Sequence, residues 1–258
     1  AAPAADQADD GELLRGVAAR IAANMEASLA VPTATSFRNV PAKLLEVNRL
    51  VLNNHLRRVR GGKVSFTHLI GYAVVRAVVD AVPAMNNTFA HDAEGKPRIF
   101  RHPHVALGIA VDQEKADGSR SLVVPVVKEA DTLDFADFVD AYETMIDKVR
   151  ASKLAPDDLM GATVTLTNPG TIGTVQSVPR LMSGQGAIIG VGAMGYPAEF
   201  QAADPKVLAQ LGLSKVITLT STYDHRIIQG AESGLFLKKV HELLLGEDGF
   251  YVGIFEDM

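Results

Sequence analysis

The sequence contains no cysteine in 258 residues. A disulfide framework, a cysteine nucleophile and a thiolate metal site are therefore excluded. The absence suits a reducing compartment, and a cytoplasmic location is expected. Basic excess is also missing: 25 Lys and Arg stand against 30 Asp and Glu, for a net charge of −5. The cations are scattered, so no basic stripe offers itself to phosphates and no nucleic-acid partner is expected. No apolar run reaches membrane-spanning length; the nearest approach, "GYAVVRAVVDAV", is interrupted by Arg76 and Asp80. The start, "AAPAADQADD", lacks the basic end and apolar centre of a signal peptide. It reads as an Ala/Pro linker over residues 1–10, and the first residue is not Met. A piece of a longer polypeptide is the expectation.

What is present is core-forming material. Hydrophobic residues make up 47% of the chain, and no internal repeat divides it, so one domain is expected over residues 11–258. Leu14, Val17, Ala18, Ile21 and Met25 recur at helical spacing and predict an amphipathic helix from about Gly11 to Ala30. "TATSFRNVP" looks extended. "AKLLEVNRLVLNNHLRR" is helical, with Leu44, Leu45, Val47, Leu52 and Leu56 on or near one face. "SFTHLIGYAVVRAVVDAVP" is a helix opened by Ser65 or Thr67 and closed by Pro83. The period then drops to two. "HVALGIAVD" puts Val105, Leu107, Ile109 and Val111 on one face and leaves Ala106, Gly108 and Ala110 on the other, open to close approach. "SLVVPVV" is a strand whose Pro125 marks an edge or a bulge. "LDFADFVDAYETMIDKVRAS" is the clearest helix. "ATVTLTNPG", "AIIGVGAM" and "KVITLTSTYDH" read as strands, and "AESGLFLKKVHELL" as a closing helix. The class is α/β in the loose sense: a two-layer α+β fold with a mixed sheet packed against helices.

Several motifs look chemical and are better explained otherwise. "GVGAMG", Gly190 to Gly195, matches a dinucleotide fingerprint in letters only. It lies within an apolar strand, and Tyr196-Pro197 blocks the helix such a site needs, so tight strand packing is expected. "HPH", His102 to His104, has no acidic partner at ligand spacing and reads as a solvated loop. His55, His68, His91 and His241 stand alone and are taken as structural or exposed. The serines of "SVPR" and "SGQG" lack a nucleophile elbow.

Two strands carry threonine on alternate positions: Thr163, Thr165 and Thr167 in one, Thr218, Thr220 and Thr222 in the other. A buried hydroxyl without a partner costs about 1–3 kcal/mol. Either these faces meet solvent, which suits β-branched polar residues, or they line a polar channel between the sheet and a neighbour. The second strand ends at His225, between Asp224 and Arg226. A strand-end histidine is as often structural as functional. Here a polar face, flanking charges and a following helix start together describe a placed general base.

"TSTYDHRIIQG" resembles the DHRxxDG signature of the dihydrolipoamide acyltransferases, whose fold is that of chloramphenicol acetyltransferase. "ATVTLTNPGTIGT" resembles that family's oxyanion segment, and "HVALGIAVD", "LVVPVVKEAD" and "AIIGVGAM" its core strands. The likeness runs from about Leu14 onward. "LRGVAARIAANMEASLAVPTATSFRNVPAKLLEVNR" and "LLGEDGFYVGIF" look most like the acyltransferase segment of fused 2-oxoglutarate dehydrogenases, which precedes the decarboxylating domain in one chain.

The resemblance implies succinyl transfer between a dihydrolipoyl arm and coenzyme A by direct attack of a thiol on a thioester. Coenzyme A is then a substrate, the lipoyl arm comes from another chain or domain, and no metal takes part. His225 would be the base and Thr167 the oxyanion donor, with Asn168, Thr165, Thr222 and Gln229 as substrate contacts. In the family the site lies between subunits of a trimer. Partners would be further copies of this chain, a lipoyl-bearing protein and the decarboxylating dehydrogenase. One departure stands out: the family pattern ends in Asp-Gly, and here Gln229-Gly230 takes its place, which removes a carboxylate but keeps hydrogen bonding. The competing expectations are an antibiotic-acetylating enzyme of the same fold and a largely structural core.

Overall fold

A computed structural model of the chain describes residues 11, 13–59, 61–114 and 120–258. The segment 1–10, read as a linker, lies outside them. The order is α1 (Gly16–Ser28), β1 (Thr33–Pro41), α2 (Lys43–Val59), α3 (Phe66–Asp80), β2 (Asn87–His91), β3 (Pro97–Arg101), β4 (Leu107–Glu114), β5 (Arg120–Val123), β6 (Val126–Val127), α4 (Phe135–Arg150), β7 (Val164–Thr167), β8 (Ala187–Val191), α5 (Pro205–Gln210), β9 (Val216–Asp224), α6 (Gly230–Leu244) and α7 (Phe250–Asp257).

The main sheet runs β1-β9-β8-β7-β4-β5, with β6 also paired to β4. Strands β4, β7 and β8 run parallel to one another, whereas β5 and β6 pair antiparallel with β4, β9 with β8, and β1 with β9. The sheet is mixed, as expected. Strands β2 and β3 form a separate hairpin, which no sequence pattern had announced. Pro125 breaks "SLVVPVV" into β5 and β6, and its carbonyl takes the Ile109 N–H at 2.8 Å. A proline donates nothing to a ladder, so the strand divides where it stands.

One face of the sheet packs against α3, α4 and α6. Leu107, Ile109, Val164, Leu166, Ile189, Ile217 and Leu219 meet Leu69, Ile70, Val74, Phe135, Phe138 and Phe236, all buried. Each such side chain contributes about 1.5–3 kcal/mol on burial. Helix α3 starts at Ser65, whose hydroxyl accepts the His68 N–H at 3.1 Å. Helix α4 starts at Asp134, whose carboxylate accepts the Asp137 N–H at 2.8 Å.

Three expectations need correction. Helix α1 begins at Gly16, not near Gly11, and its Ile21 and Met25 are exposed; the period is helical, but the apolar face does not pack into this core. In α2 the buried residues are Leu45, Leu52 and Leu56, whereas Leu44 and Val47 are exposed; the stripe that reaches the core is narrower than the apolar pattern. The chain also does not close on α6, because α7 follows and buries Phe250, Tyr251 and Ile254.

Candidate active site

The threonine faces settle first. They are not solvated: Thr163, Thr165, Thr218, Thr220 and Thr222 are all buried within the chain. Their hydroxyls are mostly bonded internally. Thr163 donates to Asn86 Oδ1 at 2.6 Å, Thr165 to Gln185 Oε1 at 2.9 Å and Thr218 to Asn39 Oδ1 at 2.9 Å; Thr222 meets the Thr35 hydroxyl at 2.8 Å. Among the described residues the Thr220 hydroxyl has no hydrogen-bond partner. The turn segment after β7 lies on this face. A β-carbon on Gly190 would stand 2.4 Å from Thr220 Oγ1, and one on Gly192 would stand 1.8 Å from the Val175 carbonyl. These glycines exist so that a loop can close over the sheet. "GVGAMG" is thus a packing device, and no helix opens at its end.

Thr167 ends β7, half-buried, abreast of Ala110 on β4 and Gly190 on β8. Beside it opens a cavity of about 380 Å³, lined by Thr67, Asp112, Arg120, Tyr142, Thr167, Asn168 and Thr171 among others. Asn168 donates through Nδ2 to Thr67 Oγ1 at 2.9 Å, which ties the strand end to the first turn of α3. Four hydroxyls and a carboxamide thus line one mouth. Thr67, Tyr142, Asp112 and Arg120 were not named as site residues from the sequence, because four separate elements bring them here.

His225 sits in the turn after β9, exposed. Its backbone is held: His225 N–H donates to the Pro32 carbonyl at 2.9 Å, and the Asp224 carbonyl accepts the N–H groups of Ile227 and Ile228 at 3.2 and 3.0 Å. Its ring meets Tyr223 edge-on, with centroids 5.5 Å apart. Asp224 is 1% exposed and is compensated by Arg226, which donates from Nε at 2.9 Å and Nη2 at 2.6 Å, with its own N–H at 3.0 Å. The two flanking charges therefore pair with each other inside the chain. The Arg226 guanidinium in turn lies 3.7 Å over the Phe89 ring, so the β2-β3 hairpin supports the turn, and nothing in the sequence near Phe89 hints at it. Gln229 is exposed at the start of α6, where its N–H donates to Glu232 Oε2 at 2.6 Å.

The register keeps the two principal residues apart. Thr167, Gly190 and Thr220 stand abreast, and β9 runs antiparallel to β7 and β8. His225 follows five residues after Thr220. At about 3.3 Å per residue that is roughly 16 Å along the strands, and two strand spacings add about 10 Å sideways. Within one copy the imidazole and the Thr167 hydroxyl lie at opposite ends of the sheet. Thr165 and Thr222, their hydroxyls committed internally, form the wall between.

Elsewhere, His68 is buried rather than exposed: burial lowers it to about 4, its Nε2 lies 3.0 Å from Glu143 Oε1, and its Nδ1 takes the Ser65 N–H at 3.3 Å. His102 and His104 are exposed, as a solvated loop requires, and contact Thr88 at 2.8 Å and Asp131 at 3.0 Å. Among the described residues no group of three or more His, Asp or Glu side chains is placed to hold a metal.

Comparison with known proteins agrees with this architecture. The family of 2-oxoacid dehydrogenase acyltransferase catalytic domains matches residues 6–248. A multifunctional 2-oxoglutarate metabolism enzyme of Mycobacterium sp. (strain JLS) is 59% identical over 258 residues, all of this chain and 20% of that protein. The chain thus spans about a fifth of the curated relatives it matches. Among solved structures, the dihydrolipoamide acetyltransferase of Azotobacter vinelandii has a TM-score of 0.75 at 25% identity, over 96% of this chain and 98% of that one. That study concerns the roles of a serine, a histidine and an asparagine in catalysis, and its histidine and asparagine are spaced as His225 and Gln229 are here. The cubic core of a pyruvate dehydrogenase multienzyme complex has a TM-score of 0.72 at 27% identity, over 94% and 95% of the two chains. Chloramphenicol acetyltransferase, at 16% identity and a TM-score of 0.50, shares the fold. With this sheet order and a family match over most of its length, the chain belongs to the acyltransferase catalytic domains of the 2-oxoacid dehydrogenases.

Proposed function

We propose that this domain moves a succinyl group between a dihydrolipoyl arm and coenzyme A, with each site assembled from two copies in a homotrimer. One observation carries the reading. His225 and Thr167 stand at opposite ends of one sheet, so a site that uses both takes them from different copies. The exposed imidazole at one end and the polar mouth at the other are the two halves such a contact would join.

The chemistry follows from the groups. A thiol near its ordinary pKa of about 8.5 is mostly protonated at neutral pH. His225 accepts that proton as sulfur attacks the thioester carbon. The tetrahedral intermediate places its oxyanion against the Thr167 hydroxyl. The carbon–sulfur bond to the departing thiol then breaks, and the imidazolium returns the proton to it. Coenzyme A enters as a substrate, and the arm comes from a lipoyl-bearing partner. Such a base contributes about 10²–10⁴-fold and one oxyanion donor about 10²–10³-fold. The 2-oxoglutarate relative, five times longer than this chain, supports the succinyl group and a decarboxylating domain on the same polypeptide. Residues 11–258 form the catalytic unit, residues 1–10 its tether, and the compartment is the cytoplasm. Gln229 fits this scheme, since a carboxamide is one of the groups studied at the equivalent spacing in the Azotobacter enzyme.

The test is subunit mixing. H225A and T167V chains are each nearly inactive between succinyl-CoA and dihydrolipoamide. Unfolded and refolded together, they recover a substantial fraction of turnover, because mixed trimers contain sites with both residues intact. Mixtures that stay as inactive as their parents refute shared sites. Wild-type turnover in H225A alone refutes the base.

A further inference from the structure

The imidazole of His225 is exposed at the end of β9, and among the described residues neither of its ring nitrogens has a hydrogen-bond partner. A side chain so placed spreads over three staggered χ1 wells, whereas a base must hold one orientation to stay within reach of its proton. One contact restrains it. The ring of Tyr223 meets the imidazole edge-on, with centroids 5.5 Å apart and planes at 66°, inside the range of about 4.5–7 Å that ring pairs prefer. We propose that Tyr223 is a positioning residue for the acyl transfer: its ring holds the imidazole of His225 in the orientation shown to the neighbouring copy. This rests on the reading of His225 as the base.

Tyr223 can act as an anchor because its own place is fixed. It is 3% exposed and belongs to the main core. In register beside it stand Ala34 on β1 and Ala187 on β8, whose small side chains leave the sheet face to the ring. Its far end reaches the start of α6, where a β-carbon on Gly230 would lie 3.5 Å from the Tyr223 hydroxyl oxygen. That helix is itself fastened to the strand: the Ser233 hydroxyl donates to Ser221 Oγ at 3.0 Å, and both residues are buried. The ring is thus gripped between β9 and α6, and a ring packed in a core keeps one rotamer. Among the described residues the Tyr223 hydroxyl has no hydrogen-bond partner, so the holding is assigned to the ring.

The experiment follows transfer from succinyl-CoA to dihydrolipoamide in wild type, Y223F, Y223L, H225A and Y223L/H225A, with assembly state and Tm recorded for each chain and the weak H225A turnover read at high enzyme concentration. Y223F keeps the ring and should keep kcat within about twofold. Y223L should lower kcat by about 3- to 10-fold, from threefold for a side chain freed among three wells to tenfold for the full worth of a ring pair. KM for both substrates should stay within about twofold, because a base acts in the transition state. In the H225A background the same change should leave turnover as it was, since no imidazole remains to be held. Wild-type kcat in Y223L, an equal loss in both backgrounds, a loss confined to KM, or a loss in Y223F as large as in Y223L would each overturn the assignment and leave the base reading standing. If Y223L does not assemble, Y223M, which refills the space with a flexible apolar chain, carries the same comparison. Wild-type turnover in H225A would remove the base reading and this assignment with it.

Discussion

Replacing Asp224 by Asn tests how the turn that presents His225 is held. Asp224 is 1% exposed. Its carboxylate takes Arg226 Nε and Nη2 and the Arg226 N–H, the longest of the first-choice contacts being 3.0 Å. Asn keeps one acceptor oxygen but turns an amide N–H₂ toward a guanidinium that can only donate. Breaking a buried ion pair by removing one partner costs about 3–5 kcal/mol. Arg226 is 30% exposed and keeps its contact with Phe89, so water and the ring recover some of that. About 2–3 kcal/mol is expected, and for a domain of this size that lowers Tm by about 5 °C. The measurement is thermal and urea unfolding at one fixed protein concentration, since assembly itself shifts stability, on D224N, R226M and the double variant. The cycle should return a coupling of about 2 kcal/mol between the two residues. Turnover should fall at least tenfold in D224N, because the Asp224 carboxylate fixes Arg226, the chain neighbour of His225 in the turn. A D224N chain that melts within about 1 °C of wild type, or a coupling near zero, would show that the pair holds nothing.

Two further predictions rest on other parts of the molecule. A G192A chain should lose more than about 2 kcal/mol, because its new methyl would stand 1.8 Å from the Val175 carbonyl, whereas G195A, with nothing within 4 Å, should be nearly neutral in the same urea titrations; equal stabilities would sink the packing account of "GVGAMG". Acid should act through His68. Burial lowers its pKa to about 4, below the ordinary value of about 6.5, so the unfolded chain binds a proton that the native one does not. That stability is present above pH 6.5 and is lost as pH falls toward 4, about 2 kcal/mol of it between pH 7 and pH 5. H68Q keeps an acceptor at the helix cap without titrating, and its unfolding free energy should fall by that much less over the same range; parallel pH slopes for the two chains would exclude the effect.

Helices α3 and α4, the breaking proline at 125 and the period-two strands were legible because each follows from neighbours in the chain: a cap, a stop, an alternation. The close approach at Gly108 was legible too, and a β-carbon there would meet Thr165 Oγ1 at 2.7 Å. The hairpin β2-β3 was not, since its β3 residues are all exposed and carry no burial signal. The solvated-or-lined question for the threonines also stayed open, because alternation reveals two faces without saying what covers either. Only the loop across Gly190 and Gly192 answered it.

By itself the sequence determined that this chain builds helices on a mixed sheet and marked His225 as a placed base, because backbone propensity and side-chain chemistry are local; Thr167 was singled out by the resemblance to a known family. Tertiary structure alone decided that these two lie at opposite ends of the sheet, that Asp224 pairs with Arg226 over Phe89, and that Arg120 reaches the cavity beside Thr167. The physical reason is register. Which strand lies beside which, and in which direction, is set by the burial of the whole core, and shifting one strand by a residue would rewrite every distance in the site.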